Sequence, residues 1–114
     1  MKKIFVAFLL CVCSSGVFSQ TQLEMNMDAL KTYQKADAEM TAIYKKALKS
    51  LTDTAQRRML IQAQRSWIKY KEDHCRAVAA FYEGGSMQPM VYSECKTEVT
   101  RQRIKSLQAY LENL

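Results

Sequence analysis

A single proline, a single histidine, one tryptophan and three glycines are all that this 114-residue chain carries of those types. With so few breakers there is no low-complexity linker, and no stretch alternates as a strand would. One histidine cannot form an HxxxH pair, and none of the four cysteines stands in CxxC spacing, so paired metal-ligand frameworks are missing. The glycines do not fall in a GxxxxGK[ST] phosphate loop. Basic residues are not interleaved with aromatics in a way that would suit nucleic acid. The only long apolar run, Ile4 to about Cys13, is shorter than the roughly 20 residues a bilayer span needs.

That run follows Lys2 and Lys3 and precedes small and turn-forming residues up to Ser19, the layout of a secretory signal peptide. Residues 1–19 are expected to be removed, leaving one domain over 20–114 in the periplasm or outside the cell. A lipoprotein acylated at Cys11 or Cys13 is disfavoured, because bulky Leu10 and Val12 precede those cysteines where a small residue is wanted. The competing reading is a buried or membrane-anchoring N-terminal helix; no stable membrane insertion is expected once the leader is gone. The trimmed chain has fifteen basic and eleven acidic residues, a net charge of +4, and two cysteines. In an oxidising compartment such a pair most often forms a disulfide.

From Leu23 the apolar residues fall at Leu23, Met27, Leu30, Tyr33, Ala36, Met40, Ile43, Ala47 and Leu51, steps of three and four that predict one helix. Asp53 with Gln56 three residues later predicts an N-cap and capping box for a second. Its stripe runs Ala55, Met59, Ala63, Trp67, Tyr70, His74, Val78 and Phe81 and stops at Gly84-Gly85, which end a helix cheaply. Ser86 is available as a cap, and Pro89 suits the first turn of a third helix. That helix carries Tyr92, Cys95, Val99 or Thr100, Ile104, Leu107, Leu111 and Leu114. The expected fold is all-α, a small antiparallel bundle of three main helices.

The charges mostly read as solvated faces. Lys35/Glu39, Lys69/Asp73 and Glu72/Arg76 sit four apart and suit surface pairs. Lys45, Lys46 and Lys49, joined by Arg57 and Arg58, are read as complementing a helix C-terminus in preference to meeting an anionic surface.

The stretch "HCRAVAAFYEGGSMQPMVYSEC" (74–95) concentrates the unusual residues. His74 and Cys75 are adjacent on a helix and point about 100° apart, a poor start for a metal site. His74 is read as a packed or partly exposed residue and not as a general base. Cys95 lies in the first turns of a predicted helix, where a thiol can be activated, so thiol chemistry stays open. The two cysteines are each ten residues from Gly85, however, so antiparallel helices meeting there would bring them level. A Cys75–Cys95 disulfide is therefore expected, linking helices 2 and 3. No two carboxylates are placed as the acid and base of a hydrolase. No catalytic residue, cofactor or metal is assigned.

"KADAEMTAIYKKAL" (35–48), "AQRSWIKYKEDHC" (63–75), "GGSMQPMVYSEC" (84–95) and "TRQRIKSLQAYL" (100–111) together resemble a family of small exported bacterial domains, once catalogued as of unknown function and now named after the lysozyme inhibitor LprI. The resemblance covers essentially the whole trimmed chain. Its matching positions are Asp37, Tyr44, Gln64, Trp67, Cys75, Gly84, Gly85, Ser86, Pro89, Cys95, Thr100 and Arg103. It implies a disulfide-stapled helical domain; most matching positions have a structural explanation, Trp67 as core, the glycines as turn, and Asp37 expected to pair with Arg103 or Arg65 across helices. Members often carry a further cysteine near "EMNMDAL"; this chain has none there, so a second staple on the first helix is not expected.

The resemblance also implies a non-enzymatic binding protein whose partner is lysozyme or another cell-wall-acting protein. The corner Glu83, Gly84, Gly85, Ser86, Met87, Gln88 and Pro89 is the candidate contact. Animal lysozymes are typically cationic, so a +4 chain needs local complementarity, for which Glu72, Asp73, Glu83, Glu94 and Glu98 are candidates. The alternative is an immunity-type or accessory module of the periplasm with a different partner.

Overall fold

The computed structural model describes residues 14–114, with side chains from residue 21 onward. Three helices carry nearly all of it: α1 (Ser14–Ser50), α2 (Thr54–Ala79) and α3 (Gln88–Glu112), with a 3-10 turn, Ala80–Tyr82, between the last two. No strand occurs among the described residues. The chain runs up α1, down α2 and up α3, and α3 packs against both of the others. The apolar run and the two leader cysteines, Cys11 and Cys13, lie outside the described residues. The expected cut before Gln20 falls at a point that α1 passes through.

Local chemistry explains the breaks. Asp53 caps α2, its Oδ1 accepting from the Gln56 amide at 2.9 Å, so the first half of the capping box forms. Arg57 turns back, and its Nη1 donates to the carbonyls of Leu48 and Leu51. It thus satisfies acceptors that the end of α1 would leave orphaned, and does not join an open basic patch. At the other break Gly84 has φ 81°, a conformation that L side chains rarely adopt. Pro89 occupies the first turn of α3 as expected, but Ser86 is not its cap: Met87 holds the N-cap position with no side-chain hydrogen bond.

The apolar core is confined to one end. Met40, Ala47, Leu51, Leu60, Ile104 and Leu107 form it, with Ile43, Tyr44, Leu48, Trp67, Tyr110 and Leu111 half-buried around them. Toward the other end the buried positions become Lys71, Cys75 and Ala79 of α2 and Ser93 and Thr97 of α3. There the Cys75–Cys95 disulfide links α2 to α3, with the Cα atoms 5.5 Å apart.

Each expected stripe is corrected in part. On α2 the buried line is Leu60, Gln64, Lys71, Cys75 and Ala79, whereas Met59, Tyr70 and Phe81 are exposed. The buried line contains a glutamine and a lysine, so the more apolar neighbouring line won the pattern match. On α1, Leu23, Met27 and Leu30 are exposed. The N-terminal part of its contact line is instead Gln22, Asn26, Ala29 and Tyr33, leading into buried Ala36 and Met40. Leu114, expected to close the α3 stripe, is exposed as well.

Urea melts of single variants distinguish the two α2 lines. Leu60→Ala, at a buried site of α2 only 6% exposed, should cost about 2–5 kcal/mol. Met59→Ala should stay within about 0.5 kcal/mol of the parent. A comparable loss from both would put Met59 in the core.

Candidate functional site

The stapled corner is held from three sides. Behind it lies the disulfide. Within it the Glu83 amide donates to Ala80 at 3.2 Å, Gly85 to Tyr82 at 3.0 Å and Gln88 to Gly85 at 3.3 Å, a chain of short turns. From α1, Asn26 Nδ2 donates to the Ser86 carbonyl at 3.0 Å, tying the tip to a helix 60 residues away in sequence. A Cβ on Gly85 would stand 3.2 Å from the Tyr82 carbonyl oxygen, so the second glycine allows a close backbone approach. Glu83 to Met87 and Pro89 are exposed and Gln88 is half-buried. The corner is thus exposed yet fixed.

The remaining motif positions gather elsewhere. Gln64 is buried between its neighbours: its Nε2 lies 3.0 Å from Met40 Sδ and its Oε1 accepts from Arg103 Nε at 2.9 Å. The Arg103 guanidinium carbon stands 5.9 Å from the centre of the Trp67 ring. Burial pushes its pKa down, and Tyr44 opposes the shift. Thr100, one turn earlier, is fully buried. Neither Thr100 Oγ1 nor Arg103 Nη2 has a hydrogen-bond partner among the described residues. The cation over Trp67 offsets part of that cost. This cluster is some 15 residues of α3 from the corner, about 22 Å at helical rise, and supports the bundle without joining the tip.

The expected Asp37 ion pair does not form. No ion pair among the described residues includes Asp37; Arg103 turns to Gln64 and Arg65 faces solvent. The pull of Asp37 is felt by Lys96 instead.

Between the core and the disulfide lies a group of residues that sequence reasoning did not single out as a site. Lys71, 4% exposed, donates to the Tyr33 hydroxyl at 2.6 Å and lies 5.0 Å from the Trp67 ring centre. Lys96 sits between two rings, 4.3 Å from the centre of Tyr33 and 4.2 Å from that of Tyr92. The Tyr92 hydroxyl donates to Glu72, whose other oxygen is 3.7 Å from Lys71. Glu72 is therefore not an i,i+4 surface partner of Arg76; Arg76 approaches Asp73 at 3.7 Å, and Asp73 also takes Lys69 at 2.6 Å. The hydrogen bond from Tyr92 holds the Glu72 carboxyl below its usual range despite partial burial. Tyr92 is pushed up to about 12 by burial and by its bond to Glu72. Burial holds Lys96 down.

None of Tyr33, Lys71, Glu72, Tyr92 and Lys96 lines the α1–α3 or the α2–α3 surface groove. His74 is exposed and stacked on Tyr70, with ring centres 5.2 Å apart. Among the described residues no group of three or more His, Cys, Asp or Glu could hold a metal ion. One shallow groove of about 430 Å³ lies between α1 and α3, lined by residues including Asp28, Thr32, Glu94, Glu98 and Arg101, and another of about 440 Å³ lies between α2 and α3, beside Met59 and Tyr110.

A family model described as lysozyme inhibitor LprI matches residues 13–107. An uncharacterized protein of Rhizobium meliloti (strain 1021) is 30% identical in an alignment 105 residues long that covers 82% of this chain and 76% of that relative. No solved structure matches the chain.

The raised Tyr92 pKa fixes a sign. The unfolded phenol ionises near its ordinary value of 10 and the folded one near 12, so stability held below pH 10 is lost as pH rises through that window. Tyr92→Phe should remove the last phenol to ionise in an ultraviolet titration and flatten that alkaline loss. Loss of a phenol that ionises near its ordinary value of 10, with the late step intact, would detach Tyr92 from Glu72.

Proposed function

The chain belongs to the lysozyme inhibitor LprI family, and on that premise we propose that it is an exported, non-enzymatic binding protein of the periplasm or cell exterior that protects the cell wall by inhibiting lysozyme. Such a protein needs no reactive group. A glycosidase cleft works through two carboxylates flanking the scissile bond, and a rigid element seated over them stops substrate from entering. The corner Glu83–Pro89 suits that task because it is exposed and already ordered by the Asn26 bond and the disulfide. Preorganisation lowers the ordering cost of association.

Charge decides which further surface supports the corner. Glu72 and Asp73 are engaged within the fold by Tyr92, Lys69 and Arg76. Glu83, Glu94 and Glu98 take no part in ion pairs among the described residues, and the last two line the α1–α3 groove with Asp28 and a single cation, Arg101. A cationic enzyme would find these carboxylates unspent, which supplies the local complementarity that the net charge does not. The family match over residues 13–107 is the observation that carries the proposal.

Clearing of a peptidoglycan suspension by lysozyme should be slowed by about micromolar protein, and the double variant Glu83→Lys/Met87→Asp should weaken the effect by roughly tenfold or more. A fully active double variant would move the contact off the corner. No slowing by the parent, with recovery of a different cell-wall-acting protein from periplasmic extract, would favour the immunity-type or accessory alternative.

A further inference from the structure

The outward face of α2 has a composition that the bundle does not use. Met59 is 70% exposed, Tyr70 54% and, in the 3-10 turn that continues the helix, Phe81 89%. At about 100° per residue, Met59, Ala63, Tyr70 and Ala77 fall within about 40° of one another, a mainly apolar line with Ser66 and Asp73 along the edge that faces the cations. Arg58, Arg65, Lys69 and Arg76 fall in a second line about 120° round the helix. All four of these cations are exposed. Lys69 and Arg76 share Asp73, while Arg58 and Arg65 enter no ion pair among the described residues. From Met59 to Phe81 the apolar line extends about 33 Å along a straight helix. Beside it opens the α2–α3 groove, lined by Met59, Leu60, Ala63, Leu107 and Tyr110.

We propose that this face of α2 lies on the surface of an anionic phospholipid bilayer, with Met59, Tyr70 and Phe81 at the acyl boundary and Arg58, Arg65, Lys69 and Arg76 among the headgroup phosphates. An interfacial helix carries this combination: an apolar line, aromatic anchors and a cationic flank whose long side chains reach upward to the phosphates. The charge complements anionic lipid. The exposed methionine and aromatics would gain little from a soluble polyanion, which needs only the cations. A second copy packed antiparallel on the apolar line would set both cationic lines along one side of the contact, where they repel. Contact is peripheral, since among the described residues no helix is long and apolar enough to cross a membrane. The face is formed by α2 and so leaves the acidic α1–α3 groove uncovered. The proposal does not rest on lysozyme being the partner.

Co-sedimentation of the full chain with vesicles tests it, each variant being made in the same chain so that any binding by its N-terminus is common to all. Vesicles of equal phosphatidylglycerol and phosphatidylcholine should retain the protein at least about tenfold better than phosphatidylcholine alone. Met59→Ser/Phe81→Ser and Arg58→Gln/Arg65→Gln should each weaken that binding on the order of tenfold. Lys45→Gln/Lys46→Gln/Lys49→Gln removes more charge from elsewhere and should cost less. Equal loss from the lysine variant, or full binding by the Met59/Phe81 variant, would reduce the effect to net charge and overturn the proposal. So would a protein that ignores anionic vesicles but loses lysozyme inhibition in the Met59/Phe81 variant, because the face would then meet a protein.

Discussion

One covalent link decides how this bundle can be built. The hydrophobic cluster gathers at the α1–α2 turn, and by the level of Lys71 the interior has turned polar. Beyond that point apolar burial has little left to hold α2 and α3 together, and the Cys75–Cys95 disulfide takes over, with Cys75 wholly buried. A domain of this size buries a smaller fraction of its surface than a larger one, and cross-links commonly make up the difference.

The polar interior between core and staple becomes tolerable for the same reason. Lys71, Lys96, Glu72, Tyr33 and Tyr92 satisfy one another through hydrogen bonds and ring faces. Buried charges of this kind contribute little net stability and are costly once a partner leaves. They need helices that stay in register. The disulfide fixes α2 against α3 one turn from Lys71, and the Asn26 to Ser86 bond fixes α1 against the corner. The corner is tied to what lies behind it by these two links. Two outward surfaces of opposite character result, an acidic groove between α1 and α3 and a cationic, aromatic face on α2.

The parts of this fold that depend on local chemistry were legible in the sequence. Asp53 caps, Gly84 turns, Pro89 starts a helix and two cysteines equidistant from a turn meet across it. Each rule needs only neighbours in the chain. Register was harder. The buried line of α2 contains Gln64 and Lys71, so apolarity alone favours the line of Met59, Tyr70 and Phe81 about a third of a turn away, which the fold leaves exposed. The long-range partners were not legible either. Arg103 with Gln64, and Glu72 with Tyr92, involve side chains that read equally well as solvated, and nothing at Asp37 says that the arginines will turn elsewhere. A polar residue in phase with a cysteine already placed in the core would have been the useful clue, since Lys71 stands four residues before Cys75.

Amide hydrogen exchange on the disulfide-bonded chain and on Cys75→Ala/Cys95→Ala would test the division of labour most directly. The account predicts that without the disulfide, protection collapses around Lys71–Ala79 and Val91–Thr97, while Met40–Leu51 and Ile104–Leu107 keep most of theirs. A uniform loss along all three helices, or no loss near the corner, would contradict it.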